Sequence, residues 1–205
     1  MTRYGMAISL DRCIGCNACT LACKTSNNIP SGMLWIRVIT EGCEHADGAV
    51  GVFPNLTRTY IPMSCQHCEN PACMKVCPTG ATYKDANGCV EINYDKCIGC
   101  RMCMAACPYN ARVFNWNKPL RNPDFNYGDK DVIARPKGVA EKCSFCKERT
   151  NRGEQPMCVI CCPMRARTFG DLDDPESEVN KVIRERGGST LLPEFGTRPQ
   201  VYYVR

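Results

Sequence analysis

The chain has 205 residues, a formal net charge of +5, and charged and aromatic fractions of 23% and 8%, which are those of an ordinary soluble protein. Cysteine is the exception, with 19 residues. A disulfide scaffold is not expected, because the cysteine total is odd, the opening MTRYGMAISL lacks the pattern of a signal peptide, and C-x2-C pairs recur at fixed spacing.

The sequence also lacks the usual signs of membrane insertion and of catalysis. It has no run of about 18 apolar residues that could span a bilayer, and no G-x-G-x-x-G or G-x4-G-K-[ST] phosphate loop. Its two histidines are His45 and His67. We therefore expect a non-catalytic protein that contacts a membrane only through another subunit.

The first half of the chain is predicted to alternate short strands with cysteine-rich loops. YGMAISL has the alternation of a strand and leads into a first cysteine quartet. Residues 24–64 are predicted to hold strands at 35–40 and 57–63, with a loop over 41–51. After a second quartet, Asn87-Gly88 predicts a hairpin turn whose second strand is VEINY, and a third quartet follows.

The second half is predicted to be mostly loop until its final helix. Residues 115–142 contain three prolines and little apolar periodicity, so they are predicted to form a surface excursion suited to docking. A fourth quartet follows, and Asp174-Pro175 then predicts the start of an amphipathic helix that ends at Gly187-Gly188. The tail is predicted to finish with a strand, VYYV.

The four quartets account for sixteen of the nineteen cysteines. They are Cys13, Cys16, Cys19 and Cys23; Cys65, Cys68, Cys73 and Cys77; Cys97, Cys100, Cys103 and Cys107; and Cys143, Cys146, Cys158 and Cys162. The first and third read C-x2-C-x2-C-x3-C, the spacing of ligands to a bacterial 4Fe-4S cluster, and the second, third and fourth end in Cys-Pro. Cys43, Cys89 and Cys161 remain without an assigned function.

Between the third and fourth cysteines of a quartet there is room for about one helical turn at most. This short helix is predicted over 20–22 in the first quartet and over 104–106 in the third, where Pro108 stops it. The unit predicted from the repeats is a strand, a ligand loop, a short helix, the last cysteine and another strand.

In two-cluster ferredoxins, the last cysteine of each quartet binds the partner cluster. Only nineteen residues, including the hairpin, separate the second and third quartets, so these two are predicted to pair, with the first and fourth closing around them. The predicted ligand sets are set 1 (Cys13, Cys16, Cys19, Cys162), set 2 (Cys143, Cys146, Cys158, Cys23), set 3 (Cys65, Cys68, Cys73, Cys107) and set 4 (Cys97, Cys100, Cys103, Cys77).

The predicted fold is α+β, with two ferredoxin-like units of the bacterial 4Fe-4S dicluster type, built from short strands and helices with loop insertions. The outer unit is expected over 1–64 and 108–175, the inner unit over 65–107, and a C-terminal helix and tail over 176–205. With about −2 for each of four clusters, the loaded protein is mildly acidic, near −3, so nucleic acid is not an expected partner.

Four stretches carry a specific resemblance. DRCIGCNACTLACKTSNN, YIPMSCQHCENPACMKVCPTGA, DKCIGCRMCMAACPYNAR and KCSFCKERTNRGEQPMCVICCPMRARTFGDLDDP resemble the four-cluster iron-sulfur subunit of the dimethyl sulfoxide reductase family of molybdopterin enzymes, which includes the DmsB, polysulfide reductase B and NrfC types. These stretches cover most of the chain, and the tail LLPEFGTRPQVYY is also similar.

The resemblance implies an electron-transfer subunit that carries four 4Fe-4S clusters. Its expected partners are a large catalytic subunit with a molybdenum or tungsten bis-pterin cofactor and a quinol-linked membrane subunit or another carrier. Its expected location is the outer, periplasmic face of the cytoplasmic membrane, through those partners, with a cytoplasmic complex as the alternative. The family's cluster pairing agrees with the one predicted from spacing.

Two alternatives remain open at this point. A zinc-binding module would use C-x2-C pairs, but two such pairs are needed for each ion, and triple-cysteine loops with a trailing Cys-Pro do not fit that arrangement. A freely diffusing polyferredoxin would carry the same clusters without a stable partner.

Several polar residues near the quartets are candidates for tuning the clusters. His67 could donate a hydrogen bond to sulfur, act as a nearby cation, or simply shape its loop. Basic residues that could offset cluster charge, or else belong to the ordinary surface, are Lys24, Lys75, Lys96, Arg101, Arg112 and Lys142. Arg101, inside a ligand loop, is the strongest candidate to face a partner.

Overall fold

The computed structural model describes residues 2–42, 48–119 and 125–205, so Cys43 and His45 lie outside the described residues. It shows a mixed α+β fold of small sheets and short helices. The strands are β1 (Tyr4–Ser9), β2 (Arg37–Thr40), β3 (Val50–Val52), β4 (Asn55–Thr57), β5 (Tyr60–Met63), β6 (Thr82–Lys84), β7 (Val90–Ile92), β8 (Val113–Phe114), β9 (Ala140–Glu141), β10 (Arg167–Asp171) and β11 (Val201–Val204). The helices are α1 (Ala18–Ser26), α2 (Ala72–Lys75), α3 (Met102–Ala105), α4 (Lys147–Thr150), α5 (Met157–Ile160) and α6 (Glu178–Glu185), with a 3-10 turn at Pro193–Phe195.

The N-terminal strand β1 is the middle strand of a three-stranded sheet, in the order β10-β1-β11. It pairs antiparallel with β10 and parallel with β11. Because β1 has a partner on each side, it is the part of the sheet best shielded from water, and Met6 and Ile8 are buried in the core. The sheet therefore joins the start of the chain, the strand after the fourth quartet and the tail.

The predicted hairpin between the second and third quartets is confirmed as β6–β7. The carboxylate of Asp85 accepts hydrogen bonds from the backbone N–H groups of Asn87 (3.0 Å) and Cys89 (2.9 Å), and Gly88 has a φ of 73°. Glycine has no Cβ, so it adopts this left-handed conformation at little cost. The tight turn places the third quartet a short distance after the second.

The prediction of one helical turn at most is correct for α3 but wrong for the first quartet. Helix α1 has nine residues and continues past Cys23 to Ser26. The other three quartets end in Cys-Pro, and proline cannot continue a helix, whereas Lys24 follows Cys23. The missing proline therefore explains the longer helix.

The predicted loop regions are also more ordered than the sequence suggested. The strands predicted at 35–40 and 57–63 are present as the shorter pair β2 and β5, and an additional hairpin, β3–β4, lies between them. In the region 115–142, β9 pairs with β8, and Arg135 is buried with its Nε donating to the carbonyl of Asn27 at 2.6 Å. A purely superficial excursion is therefore wrong for this region.

The predicted C-terminal helix and strand are both confirmed. Helix α6 begins three residues later than the Asp174-Pro175 signal, at Glu178, and packs on β10 and β1 through the fully buried Val179. The chain then returns across the second quartet, where Gln200 N–H donates to the carbonyl of Gln66 at 2.9 Å. The tail thus packs into the core beside the ligand loops.

Truncation of the middle strand tests the importance of this sheet. Ile8 is fully buried in β1, whereas Ile39 in β2 is 40% exposed. We expect Ile8→Ala to lower the free energy of unfolding by about 2–5 kcal/mol, because it leaves a cavity, and Ile39→Ala to cost less than about 1 kcal/mol. Thermal unfolding of the anaerobic, metal-loaded protein measures both, and equal losses would contradict a core centred on β1.

Candidate metal centres

The four ligand loops share one backbone feature. In each loop the residue before the second cysteine has positive φ: Gly15 (69°), His67 (43°), Gly99 (71°) and Phe145 (51°). Left-handed backbone costs a residue other than glycine about 1 kcal/mol, so the two such residues must be held by their surroundings. The shared geometry shows that all four quartets form the same type of turn.

His67 and Phe145 hold each other in this conformation. Their rings stack with centroids 3.8 Å apart and planes 15° apart, and both side chains are fully buried. The imidazole Nδ1 accepts the backbone N–H of Val90 at 3.2 Å, so Nε2 carries the proton, and burial lowers the pKa of His67 well below its usual value. The hydrogen bond from Val90 to Nδ1 fits a neutral imidazole better than a nearby cation.

The members of set 1 line one cavity of about 370 Å³, counted with the solvent at its mouth. Cys13, Cys16 and Cys19 come from the first loop and the start of α1, and Cys162 comes from the segment after α5. Burial raises the pKa of the Cys13 thiol, and the nearby Cys19 and Cys162 contribute to the shift.

The members of set 2 meet where α1 packs against α5. The side-chain amide of Asn27 lies 3.6 Å from the Cys23 sulfur and 3.8 Å from the Cys146 sulfur, so one donor joins these two thiols. Burial raises the pKa of the Cys23 thiol well above its usual value, and the neighbouring Cys143, Cys146 and Cys158 raise it further. Cys23 thus lies beside cysteines of the fourth quartet, and its assignment to set 2 stays a prediction.

The members of set 3 lie around the second loop and the end of α3. Burial raises the pKa of the Cys68 thiol to about 12, with smaller contributions from Cys65, Cys73 and Cys107. Cys65 is part of the main hydrophobic core, and Cys68 and Cys107 pack against that core.

The members of set 4 line a second cavity of about 340 Å³, again counted with solvent. Cys97, Cys100 and Cys103 come from the third loop, and Cys77 comes from the end of the second quartet. Arg112 lines the same cavity and is itself buried.

Cys89 and Cys161 differ from the sixteen quartet cysteines. The Cys89 thiol is buried at the start of β7, where it donates to the carbonyl of Asn87 at 3.8 Å. Cys161 is half-buried beside Cys162, and burial raises its pKa to about 11.

Two of the six basic residues suggested by the sequence are buried among the thiols. Arg112 donates to the Cys73 sulfur at 3.0 Å, and Lys142 donates to the carbonyl of Cys143 at 2.8 Å. Lys24 instead donates to the carbonyls of Pro30 and Met33, and the Arg101 guanidinium stacks on the ring of Trp116.

The sequence interpretation missed a third buried cation, Arg167. Its guanidinium nitrogens lie 3.8 Å from the Cys19 sulfur and 4.0 Å from the Cys158 sulfur. The signal was present in the sequence, because CPYNAR and CPMRAR place Arg112 and Arg167 at the same distance after the last cysteine of the third and fourth quartets.

These surroundings fit thiolate-bound clusters. The members of sets 1 and 4 surround cavities, and within the described ranges no three His, Cys, Asp or Glu side chains converge as the ligands of a single ion do. Burial opposes ionisation of a thiol, so thiolate ligands here need positive charge, which iron and the buried cations supply. The Nε2 of His67 is buried beside the backbone of Cys143, which places it next to a predicted ligand.

Two models of known protein families match this chain and give the class of protein to which it belongs. A 4Fe-4S dicluster domain model matches residues 56–122 and 130–172, which is more than half of the chain. A 4Fe-4S binding domain model matches residues 10–26, which contain the first quartet. The chain is an iron-sulfur protein that binds 4Fe-4S clusters.

Individual relatives narrow the class. A Halobacterium salinarum protein with the provisional name of a dimethyl sulfoxide reductase iron-sulfur subunit is 53% identical over all of this chain and 79% of its own length. The arsenate respiratory reductase iron-sulfur subunit ArrB of Shewanella sp. is 40% identical over 99% of this chain and 96% of its own. A polysulfide reductase chain of Wolinella succinogenes is 39% identical over 98% and 94%.

This protein belongs to the same family of iron-sulfur subunits of oxidoreductase complexes. Its function is electron transfer, and catalysis takes place in another subunit of such complexes. Among the helices of the described residues, none is both long enough and apolar enough to cross a membrane.

Cys158 of the fourth quartet and the nearby Cys161, which belongs to no quartet, allow a matched test of the ligand sets. Cys158 lies near Arg167 and is predicted to bind iron, whereas Cys161 is predicted not to. We expect Cys158→Ser to lose or convert one cluster, which removes up to about four iron atoms per chain, and Cys161→Ser to keep the full content. Iron and sulfide analysis with visible absorption measures both. If Cys161→Ser loses iron and Cys158→Ser does not, set 2 is contradicted.

Proposed function

We propose that this chain carries four 4Fe-4S clusters and relays single electrons between two partner proteins. The clusters are held by sets 1 to 4 in two ferredoxin-like units, an outer unit over 1–64 and 108–175 and an inner unit over 65–107, with 176–205 as a helix and tail. The proximity of the thiols within each set supports this assignment. Sets 1 and 4 each line a cavity, and in sets 2 and 3 burial and neighbouring thiols raise the pKa of Cys23 and of Cys68.

Contacts between the sets support a linear order. Arg167 lies between Cys19 of set 1 and Cys158 of set 2. The stack of Phe145 on His67 brings the loop of set 2 against the loop of set 3. Cys73 of set 3 packs against the small hydrophobic cluster that contains Cys103 of set 4, and α2 packs against α3 at the same place. The resulting order is set 1, set 2, set 3 and set 4.

The proposal of a relay rests on the two exposed ends of this series. Of the cysteines in the described ranges, Cys16 of set 1 and Cys100 of set 4 are the exposed ones. An electron must enter and leave where a cluster is near the surface, and here the two surface positions are in the two terminal sets. All four cysteines of set 2 are buried, and those of set 3 are buried or half-buried.

Each end is also surrounded by exposed apolar side chains, which is the composition of a docking surface. We define end face 1 as Ile14, Leu21, Ile160 and Met164, which are all exposed. Ile14 and Met164 line the same cavity as Cys16, and Leu21 and Ile160 lie on α1 and α5, which pack against each other beside it. We define end face 4 as Ile98, Met102 and Trp116, near Cys100. Two such faces at the two ends fit two different partners, which favours a subunit over a free polyferredoxin.

A bound 4Fe-4S cluster supplies one-electron chemistry whose potential depends on charge, hydrogen bonds to sulfur and exposure. The chain's own residues set these conditions. The thiols fix the position of each centre, Asn27 donates toward the sulfurs of Cys23 and Cys146, and the buried cations balance the negative charge of the thiolates.

The partners proposed for the two ends follow from the family. One is a large catalytic subunit with a molybdenum or tungsten bis-pterin cofactor, and the other is a membrane anchor subunit or another electron carrier. The complex is proposed to lie at the outer, periplasmic face of the cytoplasmic membrane. Support comes from the relatives named as components of arsenate, polysulfide and dimethyl sulfoxide reductases.

Charged substitutions in the two end faces test the proposed function. Leu21→Asp in end face 1 and Met102→Asp in end face 4 alter exposed side chains that bind no iron. Because a charge opposes burial in an apolar interface, we expect each variant to lose a different partner on co-purification. Both should keep about sixteen iron atoms per chain.

The outcome that contradicts the proposal is also specific. If the native chain purifies with full iron content but binds no partner, it is a free carrier. If both variants lose the same partner, the two ends do not serve different proteins. Rapid reduction of the clusters by one partner, lost only in the variant of the matching face, gives the kinetic readout.

A further inference from the structure

Arg167 is a buried guanidinium whose neighbours are sulfur atoms. One nitrogen lies 3.2 Å from the Met6 sulfur and 4.0 Å from the Cys158 sulfur, and the other lies 3.8 Å from the Cys19 sulfur. The side chain is 4% exposed, and no Asp or Glu of the described residues lies within salt-bridge distance of it. A buried charge without a partner is costly, so its counter-charge must come from the thiolate groups.

Arg112 has the same environment among the thiols of the inner unit, although residue 112 follows that unit in the sequence. One guanidinium nitrogen donates to the Cys73 sulfur at 3.0 Å and the other to the Thr82 hydroxyl at 3.2 Å, and the side chain is 3% exposed. It also lines the cavity that contains Cys103. Again, among the residues that the structure describes, no carboxylate forms a salt bridge with it.

The two arginines are equivalent in the internal duplication. Each is the last residue of a C-P-x-x-A-R segment, at the fifth position after the final cysteine of its quartet. Each lies beside the third cysteine of both quartets in its unit: Cys19 and Cys158 for Arg167, and Cys73 and Cys103 for Arg112. The same position has therefore acquired the same contact twice.

We propose that Arg167 and Arg112 are bridging cations. Each raises the reduction potentials of the two clusters whose thiols it contacts, those of sets 1 and 2 for Arg167 and those of sets 3 and 4 for Arg112, and leaves the other two clusters unaffected. Reduction makes a cluster more negative, and a fixed positive charge next to it favours that state. The guanidinium stays charged at any physiological pH and has several donors in a planar fork, so one side chain serves two centres at once.

Lys142 shows why the arginines are distinct from other buried cations. It lies next to Cys143, but its ammonium is 4.0 Å from the carboxylate of Glu91, which is also buried. That ion pair has little net charge, so it gives the sets at the junction of the two units much less stabilisation of the reduced state. The unpaired positive charges of Arg112 and Arg167 lie inside the two units, whereas the ion pair of Lys142 and Glu91 lies at the junction of the units.

The inference rests on the proposed four-cluster function, and the reciprocal design of the experiment separates the two. Arg167→Gln and Arg112→Gln are made in the full chain, which is purified anaerobically with its clusters. Potentials of all clusters are measured by redox titration followed by electron paramagnetic resonance. Cys16→Ser and Cys100→Ser identify the signals of sets 1 and 4, and spin coupling to these identifies their neighbours.

For Arg167→Gln we expect sets 1 and 2 to become harder to reduce, with the ratio of reduced to oxidised cluster at a fixed potential falling about tenfold, or about 59 mV for a one-electron couple. Sets 3 and 4 should stay within about twofold. Arg112→Gln should give the opposite pattern, so each variant is the control for the other.

If a glutamine variant fails to assemble, Arg167→Lys and Arg112→Lys provide the test. Lysine keeps the charge but lacks the fork that reaches two centres, so the same two sets should shift in the same direction by a smaller amount. Full iron content with unchanged potentials, or equal shifts in all four clusters, overturns the inference. Fewer than four clusters in the unmodified chain overturns the proposed function instead.

Discussion

The burial of sulfur together with positive charge is the constraint on which the rest of this structure depends. Thiols such as Cys23, Cys143 and Cys158 lie in the protein interior, where ionisation is opposed by the loss of water. Arg112 and Arg167 lie there as well, without a carboxylate partner in the described part of the chain. Each group is costly alone, and iron together with the buried arginines offsets much of the thiolate charge.

This arrangement explains why so few conventional elements are needed. Most helices have four residues and most sheets have two strands, which is too little regular structure for a stable core of ordinary size. The exception is the sheet β10-β1-β11, which ties both ends of the chain to the fourth quartet. Elsewhere the ligand loops themselves fill the interior, and the tail closes over them through Gln200 and Gln66.

Internal duplication organises both the loops and the side chains between them. The four loops repeat one left-handed residue, and two of these residues, His67 and Phe145, stack where the units meet. The two C-P-x-x-A-R segments repeat one buried cation. Backbone, packing and charge therefore follow the same twofold pattern, which supports the proposed linear series of four thiol sets.

The sequence was most informative where structure depends on local spacing. The strands before the ligand loops, the hairpin at Asn87-Gly88 and the final strand all follow from local alternation and turn residues, and the structure has them. Helix α1 is longer than the ligand spacing predicts, because no proline follows Cys23 to stop it. Burial of Arg135 could not be deduced from local pattern, since it depends on a contact with Asn27, which is distant in the chain. Arg167 is marked by the repeated C-P-x-x-A-R segment, but its contact with Cys19 is not visible in the local pattern.

Removal of iron tests this central claim most directly. The metal-loaded protein should be brown, and after chelation under oxidising, non-denaturing conditions it should lose its visible absorption, its near-ultraviolet circular dichroism and its cooperative thermal transition together, because the buried arginines and thiols then lack their counter-charge. A purified protein that is colourless from the start, or one that keeps a cooperative transition and protected β1 amides after its iron has been removed, would contradict the account.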